Sequence, residues 1–436
     1  MGGRAFDVVV FGATGFTGKL VAEYLAARFG VDGSQGIKWT IAGRSAAKLA
    51  EVRASLTTDK LGEEQIKPIV ADVGDAATMR AMCQQTRVVV TTVGPFAIYG
   101  EALVSACVAE GTDYADITGE ALFVRKMIDR YDTEARAKGV RIVSMSGYDS
   151  VPSDIGSFLA VSEFHKNFPN EQVTTVKAIA GKSKGGVSGG TCASIFNIIE
   201  NSSWAELKMM GNPYILCPAE IMEGERGPDK GQQSLPRWEP QLLTAKPQWS
   251  SFFVMSSVNA AVVRRSQYLQ RHQEAELRKS PPYGYDEAMG CGAGAGGLFV
   301  ACVLAALPVL GGLAMLIPPL RWCLKWLAPN PGEGPTASQR ENGCFNHHIV
   351  ARGGKNHDKA LGVKMSCDFA DPGYKGTALL LATAGVCLAL DQQQTTEEGG
   401  ELAKGGVLTP STAMGMSYVK RLKAEGIKLM VMVEVP

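Results

Sequence analysis

The chain has 436 residues, too many for one ordinary hydrophobic core, so two domains with insertions are expected. Hydrophobic residues make up 45% and charged residues 20%, which excludes a disordered chain. Lysine plus arginine number 44 against 43 aspartate plus glutamate, with no basic run, so nucleic acid is not expected as a partner.

Residues 7–11 (Asp-Val-Val-Val-Phe) fit a buried parallel strand, followed by Gly12, Gly15 and Gly18. From Lys19 to Phe29 the apolar spacing is helical. Further strands are expected at 39–42, 68–71, 88–93, 114–117 and 140–145, with helices at 76–85, 101–110 and 121–138 between them. Six strands alternating with helices predict an α/β fold with a doubly wound parallel sheet of Rossmann type. After about Ser150 the alternation stops. Thr191 to Glu200 reads as a helix, 211–250 as loops or short strands, Ala378 to Leu390 as a strongly apolar helix and Lys428 to Glu434 as a last strand.

The segment Gly12-Ala13-Thr14-Gly15-Phe16-Thr17-Gly18 lies between the first strand and the first helix. Gly12 permits the tight turn, Gly15 lets the backbone approach a pyrophosphate, and Gly18 lets the helix pack on the strand. The helix N-terminus adds free N–H groups and a partial positive charge. At the end of the second strand, an NAD-preferring fold places an acid for the ribose 2′-hydroxyl. Here stand Arg44 and Ser45, with Lys48 one turn on, which suits the 2′-phosphate of NADP(H). Asp72 is expected near the adenine. Val93, Gly94 and Pro95 end the fourth strand at the carboxyl edge, where open α/β sheets bind ligands.

Five phrases occur in order: the glycine segment with its strand, Ala42-Gly43-Arg44-Ser45, Val93-Gly94-Pro95-Phe96 with Tyr99-Gly100-Glu101, Asp116-Ile117-Thr118-Gly119-Glu120, and Gly147-Tyr148-Asp149-Ser150-Val151-Pro152-Ser153-Asp154. Together they resemble the saccharopine dehydrogenase-like oxidoreductases, a group that includes the trans-acting enoyl reductases. The resemblance is dense over the first 160 residues and looser beyond, through Gly189–Ser194 and Gly405–Pro410. It implies a Rossmann domain followed by an α+β substrate domain with a mixed sheet. The animal members that this chain resembles in length and in its apolar insertion are associated with lipid droplets.

No tyrosine has a lysine four residues later, so the Tyr/Lys acid–base pair of short-chain dehydrogenases is not expected. Candidate proton donors are Tyr99, Tyr148 and Asp149, just past strand ends, with Glu120 standing behind them. Tyr148-Asp149-Ser150 also reads as a turn capping the helix that begins near Pro152, and Thr191 and Ser194 as helix openers. A substrate with several carboxylates needs clustered arginines. Arg264, Arg265 and Arg352 form no assignable arrangement, so an apolar or lipid-like substrate is preferred. The ten cysteines include no C-x-x-C pair and read as reduced thiols, and adjacent His347 and His348 would point apart on a strand, so no metal site is expected.

Residues 288–320 contain no charged side chain, and Leu298 to Ile317 is long enough to cross a hydrocarbon core. Pro308 interrupts it. Trp322 and Trp326 alternate with Arg321 and Lys325 just after it, as in an interfacial anchor. Insertion into a membrane or lipid-droplet monolayer, a buried helix pair or homodimer contact, and a full span compete, with insertion preferred. The N-terminus has no apolar signal core. The expected division is a cofactor domain at 1–160, a substrate and dimerisation domain at 161–287 and 331–436, and an apolar insertion at 288–330. The expected protein is an NADP(H)-dependent oxidoreductase at a lipid droplet or membrane surface facing the cytosol. Two rivals remain: a non-catalytic lipid-droplet protein that keeps the nucleotide fold, and a saccharopine-type amino-acid dehydrogenase.

Overall fold

A computed structural model describes residues 3–31, 33, 36–57, 66–185, 196, 200, 202–219, 232–240, 242–273, 281–317, 319–320, 322, 334–354, 358–391 and 404–434. Of the helix expected at Thr191–Glu200 only Phe196 and Glu200 are described, both helical, and the link at 329–332 lies outside the described residues.

Two seven-stranded sheets make up the core. The first half runs β1 (Phe6–Phe11), α1 (Phe16–Phe29), β2 (Trp39–Gly43), α2 (Ala46–Leu56), β3 (Ile69–Val70), α3 (Ala76–Gln84), β4 (Thr86–Thr91), α4 (Phe96–Glu110), β5 (Asp113–Asp116), α5 (Ala121–Lys138), β6 (Arg141–Val143) and α6 (Val151–Asn167). The second runs β7 (Val173–Lys184), α7 (Trp204–Met210), β8 (Arg237–Glu239), β9 (Gln248–Ser251), α8 (Ser256–Gln273), β10 (Gly284–Gly292), α9 (Gly294–Leu316), α10 (Ala337–Glu341), β11 (Cys344–Gly353), β12 (Lys359–Cys367), α11 (Thr377–Leu390), β13 (Gly406–Leu408), α12 (Pro410–Ala424) and β14 (Lys428–Glu434).

The first sheet has the order β13-β6-β5-β4-β1-β2-β3 and is parallel throughout. Its central strands β1 and β4 carry continuous Val runs because helices cover both faces. The second sheet has the order β14-β12-β11-β7-β10-β9-β8 and is mixed: β7 and β10 run parallel, their neighbours antiparallel. The α/β doubly wound class with a second mixed sheet is therefore what the chain forms.

Two elements cross the expected domain line. Helix α6 follows the first sheet in sequence yet packs across β11 and β12 of the second. Its inner face, with Ile155, Leu159 and Phe164, needs an apolar partner, and that sheet supplies one. In the other direction the C-terminal segment returns. Strand β13 pairs with β6 and extends the first sheet, and α11 lies against α1, β1, β4 and β5. The first domain thus includes residues near 377–424, and its edge at β6 is paired, as an edge strand must be.

Candidate active site at the carboxyl edge of the parallel sheet

The glycine segment forms a tight cradle. The Gly12 N–H donates to the Ala42 carbonyl (2.9 Å) and Gly15 N–H to the Gly12 carbonyl (3.0 Å). Gly12 has φ +86°, which favours glycine. A Cβ on Gly18 would lie 2.2 Å from the Gly12 carbonyl oxygen and 2.8 Å from Thr92 Oγ1, so only glycine lets α1 sit on the end of β1. Gly15 differs. A Cβ there would meet only the Gly12 carbonyl, at 3.3 Å, and otherwise open space. Gly15 caps α1 without any side-chain hydrogen bond, so side chains leave the first-turn N–H groups unspent. Open space before uncapped N–H groups is what a pyrophosphate needs, and the exposed Thr14 stands beside it. Phe16 and Thr17 open the helix itself.

At the ribose end, Arg44 and Lys48 are exposed and form no ion pair with described residues. Ser45 is the N-cap of α2, accepting from the Lys48 N–H at 3.4 Å. It has a structural task whatever it binds. Asp72 is likewise occupied: its Oδ1 accepts from the Gly74 N–H (2.9 Å), shaping the turn before α3. No acid stands between Gly43 and Lys48 to take a 2′-hydroxyl. These residues fit a 2′-phosphorylated dinucleotide.

Val93, Gly94 and Pro95 lead into α4 at the carboxyl edge. Pro95 cannot cap the helix, and Glu120 does so from the next loop. Its two oxygens accept from the Phe96 N–H (2.9 Å) and the Ala97 N–H (2.8 Å). Glu120 is buried and spent on this task. Tyr99 lies in the first turn of α4 and is 40% exposed.

Asp116, at the end of β5, holds the next two loops. Its Oδ1 accepts from the Thr118 and Met145 N–H groups (both 3.0 Å), and Oδ2 from the Tyr114 hydroxyl (2.8 Å) and the Ser144 hydroxyl (3.0 Å). Burial pushes its carboxyl up to about 6, against these four donors. Met145, which it grips, has φ +61°, the one left-handed residue other than glycine among those described. Such strain is held only where the surroundings impose it. The backbone here turns sharply from β6 into the loop of Gly147, Tyr148 and Asp149.

The three proton-donor candidates separate in this loop and on α4. Tyr148 is buried, its ring against Phe345 (4.8 Å) and His347 (5.6 Å) of β11, its N–H on Thr377 Oγ1 (3.1 Å) and its hydroxyl bonded to Ser183. Burial pushes its hydroxyl well above the ordinary tyrosine range, which makes it a poor acid. Asp149 is exposed, and the protein around it desolvates its carboxyl and raises it above the ordinary range. Tyr99 stands apart on α4. The capping role read for this loop is not made by side chains: Ser150 is the N-cap of α6, but its hydroxyl donates to Asn259 Oδ1 (2.9 Å).

Two buried polar centres were not legible as such. Asp154 in α6 accepts from the Ser266 hydroxyl (2.5 Å), the Ser411 N–H (2.8 Å) and the Ser411 hydroxyl (2.8 Å), tying α6, α8 and α12 together. Burial pushes it up to about 6. His347 Nε2 lies 3.7 Å from Glu287 Oε1, which accepts from the Ser153 hydroxyl (2.7 Å), while His348 faces the other way, as adjacent strand residues must. Among the described residues no cluster of three His, Cys, Asp or Glu is placed to hold a metal. Arg264, Arg265 and Arg352 each make contacts within the protein. Arg264 donates to the Tyr283 carbonyl, Arg265 bonds Asp132 and the Val407 carbonyl, and Arg352 sits near Glu434.

Residues 8–143 match the saccharopine dehydrogenase NADP binding domain. Over 440 residues the chain is 37% identical to a proposed trans-acting enoyl reductase of Mycobacterium tuberculosis, covering 98% of this chain and 97% of that protein. It is 33% identical over 434 residues to the trans-acting enoyl reductase of Mycobacterium leprae, covering 97% of each. The apo structure of saccharopine dehydrogenase (L-Glu forming) from Saccharomyces cerevisiae aligns over 99% of this chain and 100% of its own with a TM-score of 0.52, at 12% identity, a likeness of fold alone. With its NADP(H) cradle at the carboxyl edge of a parallel sheet and full-length relatives at this identity, the chain belongs to the saccharopine dehydrogenase-like family of NADP-dependent oxidoreductases, alongside the trans-acting enoyl reductases.

Proposed function

We propose that this oxidoreductase reduces the activated double bond or carbonyl of a lipid-like substrate at a membrane or lipid-droplet surface. The observation that carries the reading is Asp149. It is the candidate acid that is both accessible and raised by burial, and it lies past β6 on the same edge as the cradle. NADPH supplies the hydride when bound. Asp149, held by the strained turn that Asp116 fixes, donates the proton that completes the reduction.

The substrate side favours an uncharged group. A cavity of about 200 Å³ is lined by Gly211, Pro213, Gln232, Gln233, Ser234, Phe252, Ser256 and Ser257, with no charge among them. Met255, next in the chain to the lining residue Ser256, reaches the loop after β5, since a Cβ on Gly119 would lie 3.5 Å from Met255 Cε. Arg264 and Arg265 are buried and bonded to Tyr283, Asp132 and Val407, which favours an uncharged substrate over one with several carboxylates.

What supports the surface location is α9. It carries no charge over 23 residues and anchors through Ala301, whose carbonyl accepts from Ser251 Oγ (2.7 Å). Phe299, Leu307 and Leu310 are 71%, 51% and 60% exposed, and Trp322 beyond them is also exposed. Monomers rarely leave such a surface in water.

The test is NADPH consumption with α,β-unsaturated and carbonyl lipids, with and without phospholipid vesicles, for the wild type and Asp149→Asn. Turnover that Asp149→Asn lowers by about 10²–10⁴-fold supports the reading. Unchanged turnover in that variant overturns the role of Asp149. Failure of the wild type to sediment with vesicles overturns the location.

A further inference from the structure

We propose that Arg340, from the short helix α10 before β11, closes the cofactor site by contacting the pyrophosphate of the dinucleotide. The inference rests on the cofactor assignment above and adds a ligand from outside the Rossmann domain.

Phe16 is the first residue of α1, at the mouth of the cradle. Its ring is gripped from the second domain on three sides. Tyr374 meets it edge-on at 5.4 Å between centroids. The Arg340 guanidinium carbon stands 5.4 Å above its centroid. Gly334 packs so closely that a Cβ there would lie 2.6 Å from two ring carbons. One Arg340 nitrogen, Nη1, donates to the Pro335 carbonyl (2.7 Å), which fixes the guanidinium over the ring. Among the described residues Arg340 forms no direct ion pair, although Asp371 lies near enough for its carboxylate to feel the Arg340 charge. The nearby Glu341 pairs with Lys375, and both oxygens of Asp371 accept backbone N–H groups, from Tyr374 (3.0 Å) and Lys375 (2.9 Å).

A cation is thus held, half-buried, beside the positive end of α1. Asp371 offsets part of the Arg340 charge from one side, and the guanidinium nitrogens not bonded to Pro335 are left for a further anion at the helix end. The pyrophosphate that the open face of Gly15 admits is such an anion. A guanidinium anchored through one nitrogen keeps further N–H donors in a fixed plane for phosphate oxygens. Cofactor binding then bridges the two domains, because Arg340 enters from the second and the cradle belongs to the first.

The test is the affinity of the full-length protein for NADPH and for NADH, by calorimetry, in the wild type, Arg340→Met, Arg340→Lys and Arg44→Ala. Methionine keeps an apolar stem over Phe16 and removes the charge. Arg340→Met should weaken both nucleotides alike, by roughly 10–100-fold, because both carry the pyrophosphate. Arg340→Lys should recover part of the loss, and Arg44→Ala should weaken NADPH alone. Arg340→Met binding within twofold of wild type overturns the proposal and leaves Arg340 only its packing on Phe16. A loss confined to NADPH also overturns it, since that places Arg340 at the 2′-phosphate. Wild-type protein that binds neither nucleotide overturns the cofactor assignment, and the proposal with it. Melting without nucleotide shows that each variant is folded.

Discussion

Two helices of this chain have nearly the same composition and opposite fates. Helix α11 is a run of Leu, Ala and Val from Thr377 to Leu390, and α9 is a run of Leu, Ala, Val and Gly from Gly294 to Leu316. Neither contains a charged residue. Among the described residues, the segment Pro372–Leu390 is long and apolar enough to cross a membrane, yet it is largely buried. Helix α11 lies against β1, β4 and β5, with α1 and α12 beside it. Helix α9 touches β9 and β10 on one side and shows Phe299, Leu307 and Leu310 to the outside. Hydrophobicity therefore says that a helix must be covered, and the surrounding chain decides by what. For α11 the cover is the protein. For α9 a lipid surface is proposed.

The contrast can be broken at either helix. Leu381 in α11 is fully buried. Leu381→Ala should cost about 2–5 kcal/mol, the range for a truncated core leucine, read by urea unfolding. A loss under 1 kcal/mol would show that α11 is not a core element.

The next effect concerns the cradle that α11 underpins. Gly15 has φ −83° and ψ 167°, an extended backbone that valine also adopts, so Gly15→Val keeps the turn while filling the space before α1. NADPH affinity should fall by about 100-fold or more, as expected when charge-assisted hydrogen bonds of roughly 1.5–3 kcal/mol are lost. Calorimetry gives the affinity, and the melting temperature without nucleotide should hardly move.

Asp154 offers a smaller effect with a definite sign. Its folded-state carboxyl sits at about 6, above the ordinary value near 3.9 of an unfolded aspartate. Between those values the folded state binds more protons than the unfolded state. Its contribution is thus fully present at low pH and is lost as pH rises through about 4 to 6. At neutral pH burying the charge costs on the order of 1–3 kcal/mol, which asparagine does not incur. Asp154→Asn removes hydrogen-bond acceptors and should be the less stable protein at pH 4.5, with the gap narrowing by pH 8. Urea titrations at the two pH values check this, and a constant gap would show that Asp154 stays charged throughout.

The smallest change in stability is expected at the exposed helix. Phe299→Asp with Leu307→Asp should shift unfolding by only about 0.5 kcal/mol per site, as at other surface positions. The same pair should release the protein from phospholipid vesicles in a flotation assay. Equal flotation of variant and wild type would remove the lipid surface as the partner of α9.

Part of the site was legible because its chemistry is local. Gly12, Gly15 and Gly18 act through their own backbone and the first turn of α1, so their spacing carries their meaning. Arg44 and Lys48 are read as 2′-phosphate contacts for the same reason, by the lack of an acid beside them. Tyr148 and Asp149 read alike as residues just past a strand end. Only the structure separates them, turning the tyrosine into the Phe345–His347 wall and leaving the aspartate accessible. Glu120 looked like a reserve acid and is a helix cap, because its partner N–H groups belong to Phe96 and Ala97 on another element. Asp116, Asp154 and Arg340 gain their roles from residues far along the chain, and no periodicity records such pairings.

By itself the sequence determined the parallel α/β domain, its glycine turn and its NADP(H) cofactor, and the existence of two long apolar helices. Each follows from neighbours within one element or one turn, where residue type and spacing suffice. The tertiary structure decided where the domains divide, since β13 and α11 return to the first sheet and α6 leaves it for the second. It also decided which apolar helix is core and which acid stays accessible, because burial depends on every element that arrives around a residue.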